Sequence, residues 1–299
     1  MQFPIRDGMT VFNLGSINID LVYAVPHFPA PGETLTTLDY RRMLGGKGTN
    51  QSIALARAGS AVVHIGAVHG EDGWIRDEMR AAGVDISAVQ TSGTATGHAV
   101  VSVSSDGENQ ILLWPGANHA INMQQAIGTL DSAREGDWAL LQNETCGADE
   151  FVGAARAQGL NIAYSAAPFD AAVTARLLPH TDLLVVNEVE AAALADMLGT
   201  PAQAVGLPHL VITKGSAGAD YHGADGTLHQ PAFMVTPVDT TGAGDCFLGY
   251  LLAGVAQGWD MASSLRLASA AAALQVTHHG AAAAIPTRRD VDEFLAAQA

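Results

Sequence analysis

The stretch VDTTGAGDCFLGYLLAGVAQG, residues 238–258, decides how the chain is read. An apolar run ends at Val238, Gly242 and Gly244 permit a tight turn, and Cys246–Val255 has the pattern of a helix. The backbone N–H groups of Ala243, Gly244 and Asp245 are expected to point out of that helix N-terminus, where unpaired donors and the helix dipole stabilise anionic oxygens. A carboxylate in such an anion hole does not bind phosphate, because like charges repel. Asp245 therefore reads as a base that orients and deprotonates an attacking hydroxyl. Its plainer alternative is a helix N-terminal stabiliser.

Working outward, short Val-, Ile- and Leu-rich runs alternate with segments of helical period. Strands are expected at Thr10–Leu14, Ala61–Val68, Trp138–Gln142, Leu160–Tyr164, Asp182–Val186 and Leu210–Thr213. Between them, Asn50–Ala58, Trp74–Ala82 and Asp149–Gln158 read as helices, each closed by a glycine. That alternation predicts an α/β fold with a mostly parallel central sheet and helices on both faces. Two segments break it. Leu21–Val25 with Thr34–Met43, and His98–Ser104 with Gln110–Trp114 around an Asp106-Gly107 turn, read as strands without intervening helices. They are expected to form a small β-sheet lid, about 19–43 and 96–115, within a single domain spanning 1–299.

The 299 residues are 48% hydrophobic, enough for a large core, and 30 acidic against 14 basic residues leave a net charge of −16. That field repels nucleic acid and anionic lipid, so neither is an expected partner. An anionic cosubstrate must then be held by a local device. Cys146 and Cys246 make no disulfide framework, and no signal-type or membrane-spanning apolar run is present, which points to the cytoplasm. A dinucleotide fingerprint fails because Phe247 stands where a third glycine is needed. A P-loop fails because Gly48 follows Lys47 and Arg41 replaces the leading glycine.

NLGSINID at 13–20, GGKGTNQ at 45–51 and DTTGAGD at 239–245 match, in order and spacing, the ribokinase family of PfkB-type carbohydrate kinases, which the chain resembles from about Val11 to Phe294. The resemblance implies a ribokinase-like three-layer sandwich and transfer of the ATP γ-phosphoryl group to a sugar hydroxyl. Ribose or a related furanose is the substrate it points to. A nucleoside kinase or a 2-keto-3-deoxygluconate-type kinase on the same fold stays open, as does a non-catalytic sugar sensor. It implies that Asn18, Asp20, Gly45, Gly46, Lys47, Asn50 and Glu144 hold the sugar, with Asp245 as base and Gly242, Ala243 and Gly244 forming the anion hole. Lys47 has a second implied use in neutralising phosphate charge.

On the nucleotide side it implies Asn187, Thr213, Lys214, Gly215, Gly218, Gly244 and Ser269, with the 212–218 loop offering free N–H groups and Glu190 supporting Mg²⁺ through water. A monovalent cation, K⁺, is implied at Asp239, Thr241, Val276, His279 and Gly280, although Ala284 stands where ribokinases usually have a serine. Lid strands with exposed edges often pair between subunits, which points to a homodimer. Trp114 reads either as a stacking platform or as lid packing.

Overall fold

The computed structural model describes residues 8–224 and 226–298. The reading of the N-terminus as free of a targeting segment falls partly on residues 1–7, outside them. Within the described residues no helix is long and apolar enough to cross a membrane.

The larger sheet is built from β1 (Thr10–Leu14), β4 (Ala61–His69), β5 (Val89–Ser92), β8 (Trp138–Gln142), β9 (Asn161–Ser165), β10 (Leu183–Asn187), β11 (His209–Thr213), β12 (Ala219–Gly223) and β13 (Gly226–Gln230). Its order is β13-β12-β11-β10-β9-β8-β1-β4-β5. From β5 to β11 every pairing is parallel, and β12 and β13 add an antiparallel edge. Parallel strands must be covered on both faces, which is why the central ones are nearly continuous apolar runs. All five residues of β8 are buried.

The helices are α1 (Lys47–Arg57), α2 (Gly73–Ala81), α3 (Met123–Gly128), α4 (Ala148–Ala157), α5 (Ala171–Leu177), α6 (Glu188–Leu198), α7 (Ala243–Ala256), α8 (Met261–Gln275) and α9 (Arg288–Ala297). Two cores result, one on each face of the sheet. Val11, Val62 and Leu140 pack with Ile53, Leu248, Leu251 and Leu265 of α1, α7 and α8. Phe12, Ile65 and Leu141 pack with Phe151 and Leu194 of α4 and α6. This is the predicted α/β three-layer sandwich. β5, β12 and β13 lie outside the six strands expected from the sequence.

The smaller sheet has the order β3-β2-β6-β7, from β2 (Asn18–Val25), β3 (Asp39–Gly45), β6 (Gly97–Ser104) and β7 (Asn109–Trp114). The β6–β7 hairpin turns at Gly107, φ 88°, whose N–H donates to the Ser104 carbonyl at 2.9 Å. The strand expected over Thr34–Met43 starts only at Asp39, because residues 34–37 lie off the ladder after a turn closed by the Glu33 N–H on the Ala30 carbonyl, and Leu38 makes the first bond, to the Ala24 carbonyl at 2.7 Å. Conversely, β2 begins at Asn18 rather than Leu21 and so carries two of the predicted sugar residues into the small sheet.

Candidate active site

The site is built where two helix N-termini meet. Helix α1 starts after Gly46, whose φ of 94° only glycine adopts readily. A Cβ on the preceding Gly45 would stand 2.1 Å from Asp20 Oδ2, so the glycine pair lets a carboxylate lie against the backbone. Helix α7 starts after Gly242 in the left-handed region, φ 75°. Asp245 lies in the first turn of α7, half-buried, and its carboxylate accepts from Asn50 Nδ2 at 3.0 Å and from Gln51 Nε2 at 2.9 Å. Of the three N–H groups expected to face outward, that of Ala243 instead donates to the Thr240 carbonyl at 3.2 Å. The turn closes on itself there. Those of Gly244 and Asp245 find no acceptor among the described residues.

Lys47 stands among four carboxylates. Its Nζ lies 3.9 Å from Glu144 Oε1. Burial opposes its charge, but Asp245, Glu144, Glu190 and Asp20 prevail and hold the ammonium above its ordinary range. Burial pushes the Asp245 carboxyl up, against the pull of Lys47 and the bonds from Asn50 and Gln51. Burial, with Glu144 behind it, pushes Asp20 up to about 6, Lys47 pulling the other way.

On the predicted sugar side, Asn18 and Asp20 are two apart on β2 and share a face. Asn18 Oδ1 accepts from Asn118 Nδ2 at 2.8 Å, while Asn118 Oδ1 accepts the Ile17 N–H at 2.9 Å. Asn118, fully buried in the turn after β7, thereby leaves the Asn18 Nδ2 donors to a ligand. Glu144 Oε2 accepts from Ser16 Oγ and from the Lys47 N–H. Asn50 Oδ1 is buried with no partner among the described residues. Sequence reading assigned no role to Ser16, Gln51 or Asn118. Of these, Ser16 and Gln51 carried a signal, lying within NLGSINID and GGKGTNQ, and Asn118 carried none.

Beside the N-terminus of α7 lies a cavity of about 310 Å³, walled by Thr213, Gly215 and Gly218 on one side and Phe247, Ser269 and Ala272 on the other. Ser269 is buried, and α8 presents the small side chains of Ser269, Ala272 and Ala273 to the cavity. Lys214 departs from expectation. Its Nζ is ion-paired with Asp220 at 2.5 Å, beside His229, and does not line the cavity. The 212–218 loop is also less open than expected. Lys214, Ala217 and Gly218 use their N–H groups on carbonyls within the loop. Asn187 and Glu190 form a reciprocal cap on α6, each side chain accepting the other's N–H at 2.8 Å. The second Glu190 oxygen is left out of that cap.

Asp239 ties the entry of α7 to the loop after α8, its two oxygens accepting the N–H groups of Thr241 and Gly280 at 2.9 Å each. Although burial works against it, these bonds hold its carboxyl below the ordinary range. The Val276 carbonyl, one of the expected cation ligands, accepts two N–H groups, from Val238 at 2.7 Å and Asp239 at 3.1 Å. Gly280 turns the loop at φ 91°, and His279 is exposed.

The family model described as pfkB family carbohydrate kinase matches residues 10–288. The chain belongs to that family. As a pfkB carbohydrate kinase it is a phosphotransferase acting on a sugar hydroxyl. It is 34% identical to the ribokinase of Bacillus subtilis (strain 168), over 94% of this chain and 98% of that one. Among solved structures, Arabidopsis thaliana ribokinase complexed with ribose and ATP superposes with a TM-score of 0.84 at 25% identity, covering 96% of this chain and 99% of that one. A Burkholderia thailandensis nucleoside kinase in complex with inosine gives 0.84 at 27%, covering 96% of each chain.

Proposed function

We propose that this pfkB kinase phosphorylates ribose or a related furanose with ATP, using Asp245 as the general base. The observation that carries the reading is the clamped Asp245 carboxylate at the open N-terminus of α7, next to the buried and unpaired Asn50 Oδ1. A buried acceptor without a donor is costly, and a sugar hydroxyl supplies the missing one. Asn18 donates to one sugar oxygen, and Asp20 and Glu144 accept from others, so each polar group of the pocket has a complementary partner on a polyol.

Asp245 orients the attacking hydroxyl and takes its proton, while the Gly244 and Asp245 N–H groups face charge on the transferring phosphoryl group. Lys47 neutralises phosphate charge from the α1 side, one ammonium against four carboxylates. The nucleotide lies along the 310 Å³ cavity, contacted by Thr213, Gly215, Gly218 and Ser269. Mg²⁺, when bound, would supply positive charge that neutralises phosphate oxygens. The free Glu190 oxygen, with Asn187 holding its partner, suits a water-mediated contact to it. Asp239, Thr241 and the loop up to Gly280 are the residues that would hold K⁺. The chain acts as one kinase domain whose small sheet closes over the sugar and excludes water. Two chains pair through that sheet, and the enzyme works in the cytoplasm.

A nucleoside substrate is the second reading, favoured by Trp114, which is 43% exposed on the lid with its ring centroid 5.2 Å from His98 and presents a face on which a base could stack. A coupled ADP-release assay over ribose, 2-deoxyribose, 2-keto-3-deoxygluconate, adenosine and inosine separates them. Highest kcat/KM on ribose or deoxyribose is expected. A nucleoside turned over at higher kcat/KM reassigns the substrate, and no ADP release with any of the five overturns the proposal.

A further inference from the structure

Behind the proposed base lies a file of polar side chains that the reaction itself does not explain. Asn13 is the last but one residue of β1, His64 lies opposite it on β4, and Gln142 ends β8. Strand alternation puts all three on the sheet face that carries Val11, Val62 and Leu140, beneath α1. With Gln51 and Ser52 of α1 they are fully buried, in a layer where apolar side chains would otherwise continue.

The direction of every bond in this file follows from its two ends. Asp245, ionised, only accepts, so Gln51 must turn its Nε2 toward it at 2.9 Å. Gln51 Oε1 is then an acceptor, and Gln142 Nε2 donates to it at 2.6 Å and to Asn13 Oδ1 at 2.9 Å. Asn13 Nδ2 donates onward to the Gly48 carbonyl at 2.9 Å and Ser52 Oγ at 2.8 Å. The Ser52 hydroxyl donates to His64 Nδ1 at 2.8 Å, and His64 Nε2–H ends the file on the Gly15 carbonyl at 3.1 Å. A neutral His64 is required for this order, and burial, opposed by the Gly15 bond, lowers its pKa to about 4.

Gln142 Oε1 is buried and has no partner among the described residues. Gln142 is thus retained for its two donors at the expense of its carbonyl, a choice that packing alone disfavours. We propose that Gln51 and Gln142 are positioning residues that fix the rotamer and plane of the Asp245 carboxylate, through a file of hydrogen bonds whose donors run outward from Gln142, by way of Gln51 to Asp245 and by way of Asn13 to His64 on the central sheet. The proposal rests on the reading of Asp245 as the base. Neither glutamine touches substrate. Their effect is on how often the carboxylate stands in line with the attacking hydroxyl.

The test compares Gln142→Met, Gln51→Met and the double variant for kcat, both KM values, the kcat–pH profile and melting temperature. Gln142→Met keeps volume and removes both donors. We expect kcat to fall about 3- to 10-fold with sugar and ATP KM within about twofold, and Gln51→Met to lower kcat by about 10-fold or more. The double variant should be no slower than Gln51→Met, because Gln142 acts only through Gln51.

Gln51→Met also removes one of the two hydrogen bonds that favour the carboxylate. The acid limb should therefore move to higher pH, with Lys47 still favouring the charge and Glu144, Glu190 and the buried Cys246 thiol facing it unchanged. A purely structural role would lower the melting temperature and leave kcat and the acid limb in place, which overturns the proposal. If Gln142→Met does not fold, Gln51→Met decides alone, and wild-type kcat in that folded variant is the overturning result. Asp245→Asn, run in parallel, keeps the two claims apart. An active Asp245→Asn removes the base assignment, whereas an inactive one beside fully active glutamine variants removes only the positioning.

Discussion

At the scale of single residues the site holds more negative charge than its one lysine balances, and of the three carboxyls that burial pushes upward there, those of Asp245 and Asp20 serve different uses. Asp245 is held between two amides at the open end of a helix. Asp245→Asn keeps its shape and both neighbours but removes the charge that takes the proton, so kcat should fall about 10²- to 10⁴-fold while the sugar KM changes far less. If Asp245 served mainly as a cap, the cost would instead be about 0.5–2 kcal/mol of stability with turnover retained, which steady-state kinetics beside a melting curve distinguishes. Asp20, at about 6, is ionised at neutral pH and protonated below. Sugar KM should rise as pH falls through about 6, because bonds to a charged acceptor are roughly twice as strong as neutral ones. The stability consequence has the opposite sign. A folded-state pKa above the unfolded value of 3.8 means that the native state binds the proton more tightly, so stability is lost as pH rises through about 6. Asp20→Asn should therefore melt higher than wild type at pH 8, with the gap narrowing toward pH 5. Equal gaps at both pH values would show that the Asp20 carboxyl is not raised.

At the scale of elements, what the sequence made legible follows from burial. β1 and β8 coincide with their expected bounds, because a parallel strand covered on both faces is a largely apolar run. β12 and β13 carry Asp220, His222, Thr227 and His229 at an exposed antiparallel edge, and no such run marks them. The glycine turns before α1 and α7 announced the site in the same way, through residues whose backbone angles few others adopt. The positioning amides were not legible. Gln142 is one polar residue at the end of WALLQ, and only the register of β8 beside β1 brings it to Asn13. Nor was the occupancy of backbone donors. Whether the Ala243 N–H or the Val276 carbonyl is free depends on how tightly each turn closes, which spacing does not encode. The loop that Asp239 gathers at the entry of α7 is the element on which cation dependence turns. Replacing Na⁺ by K⁺ should raise kcat, and Asp239→Ala should abolish the difference. Identical rates of the wild-type enzyme in the two salts at matched ionic strength would remove the monovalent cation from the scheme.

At the scale of the whole molecule, the small sheet stands out from the large one by leaving an apolar edge uncovered. β7 is exposed along its length, and Ile111, Leu112, Leu113 and Trp114 are 57%, 74%, 50% and 43% exposed, with Tyr40 on the opposite edge strand at 49%. Soluble proteins usually blunt such an edge with charge or proline, and β7 has neither within Asn109–Trp114. Four consecutive apolar residues show apolar side chains on both faces of the strand, so a single covering loop would hide only half of them. On the proposal that two chains pair through the lid, a second copy of the lid sheet would answer both the apolar faces and the unpaired strand edge. A two-fold pair uses each residue twice. If burying one Leu contributes about 1.5–3 kcal/mol, then Leu112→Lys, counted in both subunits, should cost about 3–6 kcal/mol of association, or about 10²- to 10⁴-fold in the dimer Kd. Each chain carries a net charge of −16, so repulsion opposes pairing and salt screens it. Sedimentation velocity over a concentration series should therefore show a wild-type dimer that tightens with salt and a Leu112→Lys monomer at the same concentrations. Sugar KM should rise in the variant if the partner steadies the lid, while Asp245 and the nucleotide cavity, on the large sheet, leave the ATP KM near wild type. A wild-type chain that sediments as a monomer across the series, at high as well as low salt, would show that the exposed β7 edge is not a subunit interface.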